Sequence, residues 1–133
     1  MNQDKSDYTA QTAKFLKQLK HIILAVVDEN NAPWAVPVGV RTLEGLVVEW
    51  DSHMRSRHSL AIDHNPHIAM TAFVSKGSEW EEMGVYMEAE VESAEVIHDE
   101  FARYKARITA IWYNDAEHVK RSIDLEDLSH QLT

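Results

Sequence analysis

The chain has 133 residues, no cysteine and a formal net charge of −9 at neutral pH. A domain of that length buries roughly two thirds of the surface that its unfolded chain exposes, so we expect one domain over 1–133. The lack of cysteine excludes disulfides and thiolate metal sites, and the negative charge argues against nucleic acid or membrane partners. The polar start of the chain and the lack of a long apolar run predict a cytoplasmic protein.

The first half of the chain predicts one helix followed by three strands. Thr9 to Lys20 has apolar and basic side chains on opposite sides of a helix. The branched run His21 to Asp28 predicts a buried strand, and the alternation over Pro33 to Arg41 predicts a second one. Leu46 to Trp50 predicts a third strand, and the short turns between the three favour an antiparallel meander.

The middle of the chain predicts a short helix and then two strands. Ser56 is a capping residue, and Asn65-Pro66 ends the helix that it begins. His67 to Val74 predicts a fourth strand. The alternation of apolar and polar side chains over Val85 to Glu92 predicts a fifth strand with one wet face.

The last third of the chain predicts helices. Five apolar residues recur at intervals of three and four, which predicts a helix over His98 to Trp112; they are Ile97, Phe101, Tyr104, Ile108 and Ile111. Asp115 to Leu132 carries apolar residues among many charges and predicts a short helix or two on the surface or against a partner chain.

The segment from Trp50 to His58 concentrates hydroxyls, two arginines and two histidines where the third strand gives way to the short helix. A helix start has free backbone N–H groups and the positive end of the helix dipole, and arginine adds charge-assisted bonds to phosphate oxygens. The segment has the composition of an anion site, and a solvated, capped helix start is the competing interpretation.

In this order the elements resemble the pyridoxamine 5′-phosphate oxidase-like family of FMN-binding split barrels, over roughly Thr9 to Val96. Ala32-Pro33 to Val38 resembles the family pattern Gly-x-Pro-x-x-x-Pro-hydrophobic. Ser56-Arg57-His58 through Asn65-Pro66 resembles the family's Ser-Arg-Lys followed by Asn-Pro. The resemblance implies a mainly β fold with flanking helices (α+β), an antiparallel split β-barrel in 9–96 followed by C-terminal helices in 97–133.

The resemblance also implies an FMN site formed by two subunits of a homodimer. The residues that it implies at the flavin phosphate are Ser56, Arg57 and His58, and those along the flavin are Trp50 and Asp51. Arg41 is a further candidate for cofactor binding, because it shares a face of small residues with Gly39 that leaves room for a ligand.

The expected function is that of a flavin-dependent oxidoreductase with a small-molecule substrate or electron donor. The flavin itself would transfer hydride or electrons, so no catalytic side chain is required. Pyridoxamine-phosphate oxidase activity is not expected, because the chain lacks the Trp- and Arg-containing C-terminal region that the resembling full-length oxidases use for substrate. Substrate is expected on the open face of the ring, against loops such as Ser75 to Met83.

Two departures from the family pattern motivate an alternative. His58 stands where the family usually has lysine, and Ala89 where it commonly has glycine. The alternative is a split-barrel binding or stress-related protein that uses haem, another flavin-like ligand or no cofactor. No metal site is predicted from the nearby histidines, since His64 and His67 are separated by Asn-Pro and would not share a helix face.

Overall fold

The computed structural model of the chain describes residues 5–75, 82–114 and 119–133. The first elements are α1 (Lys5–Lys17), β1 (His21–Val27), β2 (Pro33–Gly39), β3 (Thr42–Glu44) and β4 (Val47–His53). They are followed by α2 (Arg57–His64), β5 (His67–Ser75), β6 (Glu82–His98), β7 (Phe101–Asn114), β8 (Lys120–Ser122) and α3 (Leu125–Gln131). Within these ranges, none of the helices has the length and apolar character needed to cross a membrane.

The strands form one antiparallel sheet whose two ends come together. The order is β2-β1-β5-β6-β7-β4-β3, and β8 pairs with β7. Between β2 and β3 the backbone N–H of Val40 donates to the carbonyl of Lys20 at 2.9 Å, and that of Arg41 donates to the carbonyl of Glu49 at 2.8 Å. Through these two bonds, residues 40 and 41 connect the start of β1 with β4. The two ends of the sheet therefore lie side by side, and the sheet curls into a barrel. The predicted mainly β fold with flanking helices is confirmed.

The predicted meander of the first three strands is wrong at its third member. β4 pairs with β3 and β7, and β2 lies at the other end of the sheet order. The short strand β3, which the sequence did not predict, forms a hairpin with β4 around Gly45, whose φ is +58°. Alternation reports which face of a strand is buried and carries no information about its neighbours, so short turns alone suggested the wrong partner.

The barrel interior contains the alternating apolar side chains of the strands. The fully buried strand residues with large side chains include Ile22, Leu24, Val48, Trp50, Met70, Met87, Tyr104, Ile108, Ile111 and Tyr113. Leu16 of α1 is also fully buried, and Phe15 beside it is nearly so. The amphipathic pattern predicted for this helix therefore reflects packing on the core, and the predicted strands β1, β5 and β6 are confirmed.

The helix predicted over His98 to Trp112 is wrong, because this segment is strand β7. Residues buried in its first part alternate, from Ala102 through Tyr104 and Ala106 to Ile108. The register against β6 then shifts between Glu88 and Ala89, where β7 has one extra residue, and burial resumes at Ile111. A spacing of four fits both a strand and a helix, and the β-bulge supplies the spacing of three between Ile108 and Ile111. The other two residues of the helix-like pattern do not share the buried face, since Ile97 belongs to β6 and Phe101 is 39% exposed.

The last part of the chain is only partly helical. α3 begins at the cap Asp124, whose side chain accepts the N–H of Asp127 at 3.0 Å, and it packs against α1 with Leu128 fully buried. The expectation of a C-terminal short helix is confirmed there. The expected division into a barrel at 9–96 and helices at 97–133 is wrong, since β6 crosses the boundary and β7 and β8 lie beyond it.

Candidate functional site

Helix α2 begins with a well-formed cap at Ser56. The Ser56 hydroxyl accepts the backbone N–H of Ser59 at 3.3 Å and lies 2.8 Å from both the Ser59 hydroxyl and the carbonyl of His53. Asn65 ends the helix, with its N–H donating to the carbonyl of Ala61 at 2.8 Å. The helix predicted from the capping residue and Asn65-Pro66 is therefore confirmed, and its first residue, Arg57, projects from a fixed backbone.

Arg57 lies against residues from the hairpin of β1 and β2. Its guanidinium carbon is 4.2 Å from the centroid of the Trp34 ring, and Nη2 is 3.7 Å from Oδ2 of Asp28. Half of the Arg57 side chain is exposed, and Trp34 is 40% exposed. Arg57 is thus a cation with an accessible surface at a helix start, which is the arrangement that an anion site requires.

Asp28 is held in place by the turn that joins β1 to β2. Its Oδ1 accepts the backbone N–H groups of Asn30 and Ala32, each at 2.9 Å, and Asn31 adopts a positive φ of 62°. The bond from Ala32, with help from Asn30 and Arg57, holds the pKa of Asp28 below its ordinary value. One oxygen of this charged carboxylate therefore orders the turn while the other faces Arg57.

His58 faces the interior of the protein. Its ring is buried, with Nε2 2.9 Å from the hydroxyl of Ser52 and 3.4 Å from that of Ser56. Burial lowers the pKa of His58, so the imidazole is held neutral. Successive residues of a helix point about 100° apart, and this one points inward while Arg57 is exposed. The assignment of His58 to the flavin phosphate stays a prediction. Ala89 also faces the core, where its methyl group packs among apolar side chains.

Trp50 is likewise an internal residue. Its indole is completely buried and stacks on the ring of Tyr104, with centroids 5.8 Å apart. The indole nitrogen has no hydrogen-bond partner among the described residues. The Trp50 side chain has no exposed surface in this chain, and the expectation that Trp50 lies along a flavin stays a prediction.

Asp51 and Arg41 lie on the outer face of β4. Asp51 accepts two bonds from Arg103, at 2.9 and 3.2 Å, and these bonds lower its pKa. Arg41 donates to Glu49 at 3.1 Å, and Lys105 contacts the other oxygen of Glu49 at 3.2 Å. This face is a set of ion pairs. Trp34 and Asp28, the neighbours of Arg57, belong to the β1–β2 hairpin and its turn, and so to a different part of the surface.

Sequence reasoning missed Trp34 and Asp28 as neighbours of Arg57. Both belong to the hairpin of β1 and β2, far from α2 in sequence, so no local pattern indicates the contact. The one signal was the family-like pattern that begins at Ala32-Pro33, because it lies in this hairpin.

A second surface feature is the outer face of the sheet across β1, β5, β6 and β7. Most of its members, which alternate with the core residues, are small or apolar: Ile23, Ala25, Ala69, Thr71, Phe73, Tyr86 and Trp112. Glu88, the cross-strand partner of Ala69, also lies on this face. Phe73 is 70% exposed, and Lys120 lies 4.7 Å above the ring of Tyr86. We call this set the apolar sheet face. A contiguous exposed apolar surface of this kind is typical of an interaction site.

No family model matches the sequence, and no curated protein matches it. Solved structures do match. A protein from Clostridium acetobutylicum related to general stress protein 26, of the pyridoxinephosphate oxidase family, has a TM-score of 0.74 at 11% identity, over 94% of this chain and 99% of that one. An F420 reductase has a TM-score of 0.58 at 13% identity, over 84% and 98% of the two chains.

A haem-binding protein from Mycobacterium smegmatis also matches, with a TM-score of 0.78 at 13% identity. The match covers 98% of this chain and 62% of that one, so the chain spans less than two thirds of that protein's length. These neighbours share the FMN-binding split-barrel fold, and the chain has the same fold. The resemblance inferred from the two sequence motifs is confirmed at this level. Proteins of this fold thus include an F420 reductase and a haem-binding protein.

Proposed function

We propose that the protein binds FMN, or a closely related phosphate-bearing flavin, and acts as an oxidoreductase. Arg57 would hold the phosphate at the start of α2, and Ser56 would position Arg57 through the helix cap. The single observation that supports this best is Arg57 itself, an accessible guanidinium at a capped helix start in a split-barrel fold.

The donor set at α2 fits a phosphate group. A guanidinium presents several N–H donors in one plane and forms bidentate bonds with phosphate oxygens, while the first turn of the helix adds the positive end of its dipole. The net charge of −9 does not oppose this, because a small anion is governed by the groups that touch it. Arg41 stays a second candidate; it would have to leave Glu49 to reach a ligand.

The flavin, when bound, supplies the redox chemistry by accepting and donating hydride or electrons. The protein side chains would bind and orient it. The substrate or electron donor is proposed to be a small molecule on the exposed side of the ring. The part of the Ser75 to Met83 loop expected to face it, residues 76–81, lies outside the described residues.

We propose that two copies of the chain associate through the apolar sheet face. Ala25 and Ala69 are direct cross-strand neighbours, and their small side chains leave a flat centre that a second copy can approach closely. Phe73 and Tyr86 lie at its margin with large exposed rings. Covering these groups removes apolar surface from water and is the proposed basis of the homodimer.

The test is the absorption spectrum of the purified protein before and after incubation with FMN and desalting. We expect a yellow protein with flavin bands. The phosphate assignment is tested by Arg57→Ala, with Arg55→Ala as the matched control, because Arg55 is two residues away, more exposed and paired with Glu100. We expect Arg57→Ala to lose FMN and Arg55→Ala to retain it. A wild-type protein that retains no FMN would contradict the proposal.

Haem binding is the second candidate function, favoured by the similarity to the haem-binding protein from Mycobacterium smegmatis. A Soret band in the purified protein, or its appearance on titration with haemin, would support this alternative. Absence of both flavin bands and a Soret band after reconstitution would favour a split barrel without either cofactor.

A further inference from the structure

The position of Arg57 is set by two neighbours that act in opposite ways. The guanidinium carbon of Arg57 lies over the Trp34 ring, 4.2 Å from its centroid, and Nη2 lies 3.7 Å from Oδ2 of Asp28. Within the described part of the chain, these are the contacts that the Arg57 side chain makes. The turn hydrogen bonds and then Arg57 lower the pKa of the Asp28 carboxyl most, and His64 also lies close enough to Asp28 to help lower it.

Trp34 confines the guanidinium to one plane without using its N–H groups. Stacking of a cation on an indole face leaves all the donors at the edge of the guanidinium, directed away from the ring. The Trp34 backbone is held by its pairing with Val26 of β1, and the indole is 40% exposed. Contact with this ring limits the positions open to the guanidinium and leaves N–H donors of Arg57 available to a ligand.

Asp28 holds Arg57 weakly. The distance of 3.7 Å between Nη2 and Oδ2 exceeds hydrogen-bond length, so the pair is electrostatic only. The carboxylate cannot move closer without disturbing Oδ1, which accepts two backbone N–H groups of the turn. An incoming phosphate has no such restraint and can form charge-assisted hydrogen bonds with the same edge.

We propose that Trp34 is a positioning residue for the phosphate-binding Arg57 and that Asp28 competes with the phosphate for the same guanidinium. This inference rests on the proposed function. On this proposal, the affinity for FMN depends on two contacts of Arg57, one with the Trp34 ring and one with the Asp28 carboxylate. The two neighbours therefore have opposite effects on the affinity for a phosphate-bearing ligand.

The test compares the dissociation constants of FMN and riboflavin, which differ by the phosphate, for four proteins: wild type, Trp34→Leu, Trp34→Phe and Asp28→Asn. We expect Trp34→Leu to weaken FMN binding about three-fold, the size of an exposed cation–π contact, and Trp34→Phe to restore most of it. We expect Asp28→Asn to tighten FMN binding about two- to five-fold at low salt, because an amide keeps the turn acceptor and loses the charge. Riboflavin binding should change little in each case.

The outcomes separate the two proposals. If wild type binds no FMN, the proposed function and this inference both fail. If wild type binds FMN and Arg57→Ala weakens it, but Asp28→Asn leaves it unchanged or weaker, only the competition is overturned. If Trp34→Leu and Trp34→Phe behave alike, Trp34 does not position Arg57. Far-ultraviolet circular dichroism checks that each variant is folded, and the Asp28→Asn arm stands if Trp34→Leu does not fold.

Discussion

Trp50 and Tyr104 face each other across strands β4 and β7, with their rings nearly parallel at 9° and their centroids 5.8 Å apart. Both side chains are almost completely buried, so the pair lies in the barrel core and joins the two strands that carry the ion pairs of the outer face. This stacking makes Trp50 a structural residue.

We therefore predict that Trp50→Ala destabilises the fold by about 3–5 kcal/mol, through lost burial and the cavity left behind. Val96→Ala is the control, because Val96 is also a large apolar residue on a strand but is 59% exposed and lies outside the apolar sheet face. It should change the stability of the monomer by less than about 0.5 kcal/mol. Urea unfolding followed by circular dichroism measures both. Similar losses for the two variants would contradict the core role of Trp50.

The buried His58 predicts a loss of stability on mild acidification. Its pKa in the folded protein lies below the ordinary value of 6.5, so the unfolded chain binds more protons than the native state below that pH. The contribution of the neutral His58 ring to the free energy of unfolding is therefore full above pH 6.5 and decreases as the pH falls below that value. The carboxylates with lowered pKa values, such as Asp51, begin to matter only near pH 4.

The measurement is urea unfolding at pH 7.5 and pH 5.5 for wild type, His58→Gln and the exposed control His67→Gln. We expect wild type and His67→Gln to be less stable at the lower pH and His58→Gln to lose much of that difference. An unchanged pH dependence in His58→Gln would mean that another group is responsible.

The cap of α2 predicts a separate stability effect. Ser56→Ala removes the acceptor for the N–H of Ser59, and we expect a loss of about 1 kcal/mol. Ser56→Thr retains a hydroxyl and should lose less than Ser56→Ala. Because Arg57 follows the cap directly, Ser56→Ala should also weaken FMN binding. Thermal unfolding and FMN titration check the two effects, and equal stability of the two variants would exclude a capping role.

The bidentate pair of Asp51 and Arg103 predicts a small coupling. Both side chains are about one third exposed, so water and salt screen the pair, and a double-mutant cycle of Asp51→Asn and Arg103→Gln should give less than about 1 kcal/mol. The coupling should decrease in 1 M salt. A larger coupling energy that does not change with salt would contradict a solvent-exposed pair. It would indicate that Asp51 is buried when the protein associates with another chain.

The apolar sheet face predicts a change of oligomeric state. Ala25→Arg places a charge at its flat centre, and we expect the variant to be monomeric where wild type is dimeric. Ser93→Arg is the control, because Ser93 is exposed on β6 beyond the part that pairs with β5. Light scattering during size-exclusion chromatography gives the native mass. A wild-type monomer at micromolar concentration, or a dimeric Ala25→Arg, would overturn the proposed interface.

Local patterns in the sequence determined the elements whose signals are short and self-contained. The cap at Ser56 and the Asn65-Pro66 stop define α2, and the alternation after Val85 defines β6, because capping and side-chain alternation depend on neighbouring residues alone. The two family-like motifs, at Pro33 and at Ser56, indicated the split-barrel fold, which the structure and its neighbours confirm.

Tertiary structure decided the features that depend on residues far apart in the chain. The β-bulge in β7 produced a helix-like spacing, and strand order placed β4 beside β7, which no short turn could indicate. The inward rotation of His58 and Trp50 removed them from the surface, while the β1–β2 hairpin brought Trp34 and Asp28 to Arg57. Ser56, Arg57 and His58 were expected at the phosphate. Packing of α2 on the barrel turns His58 inward and leaves the charged side chain of Arg57 half exposed to solvent.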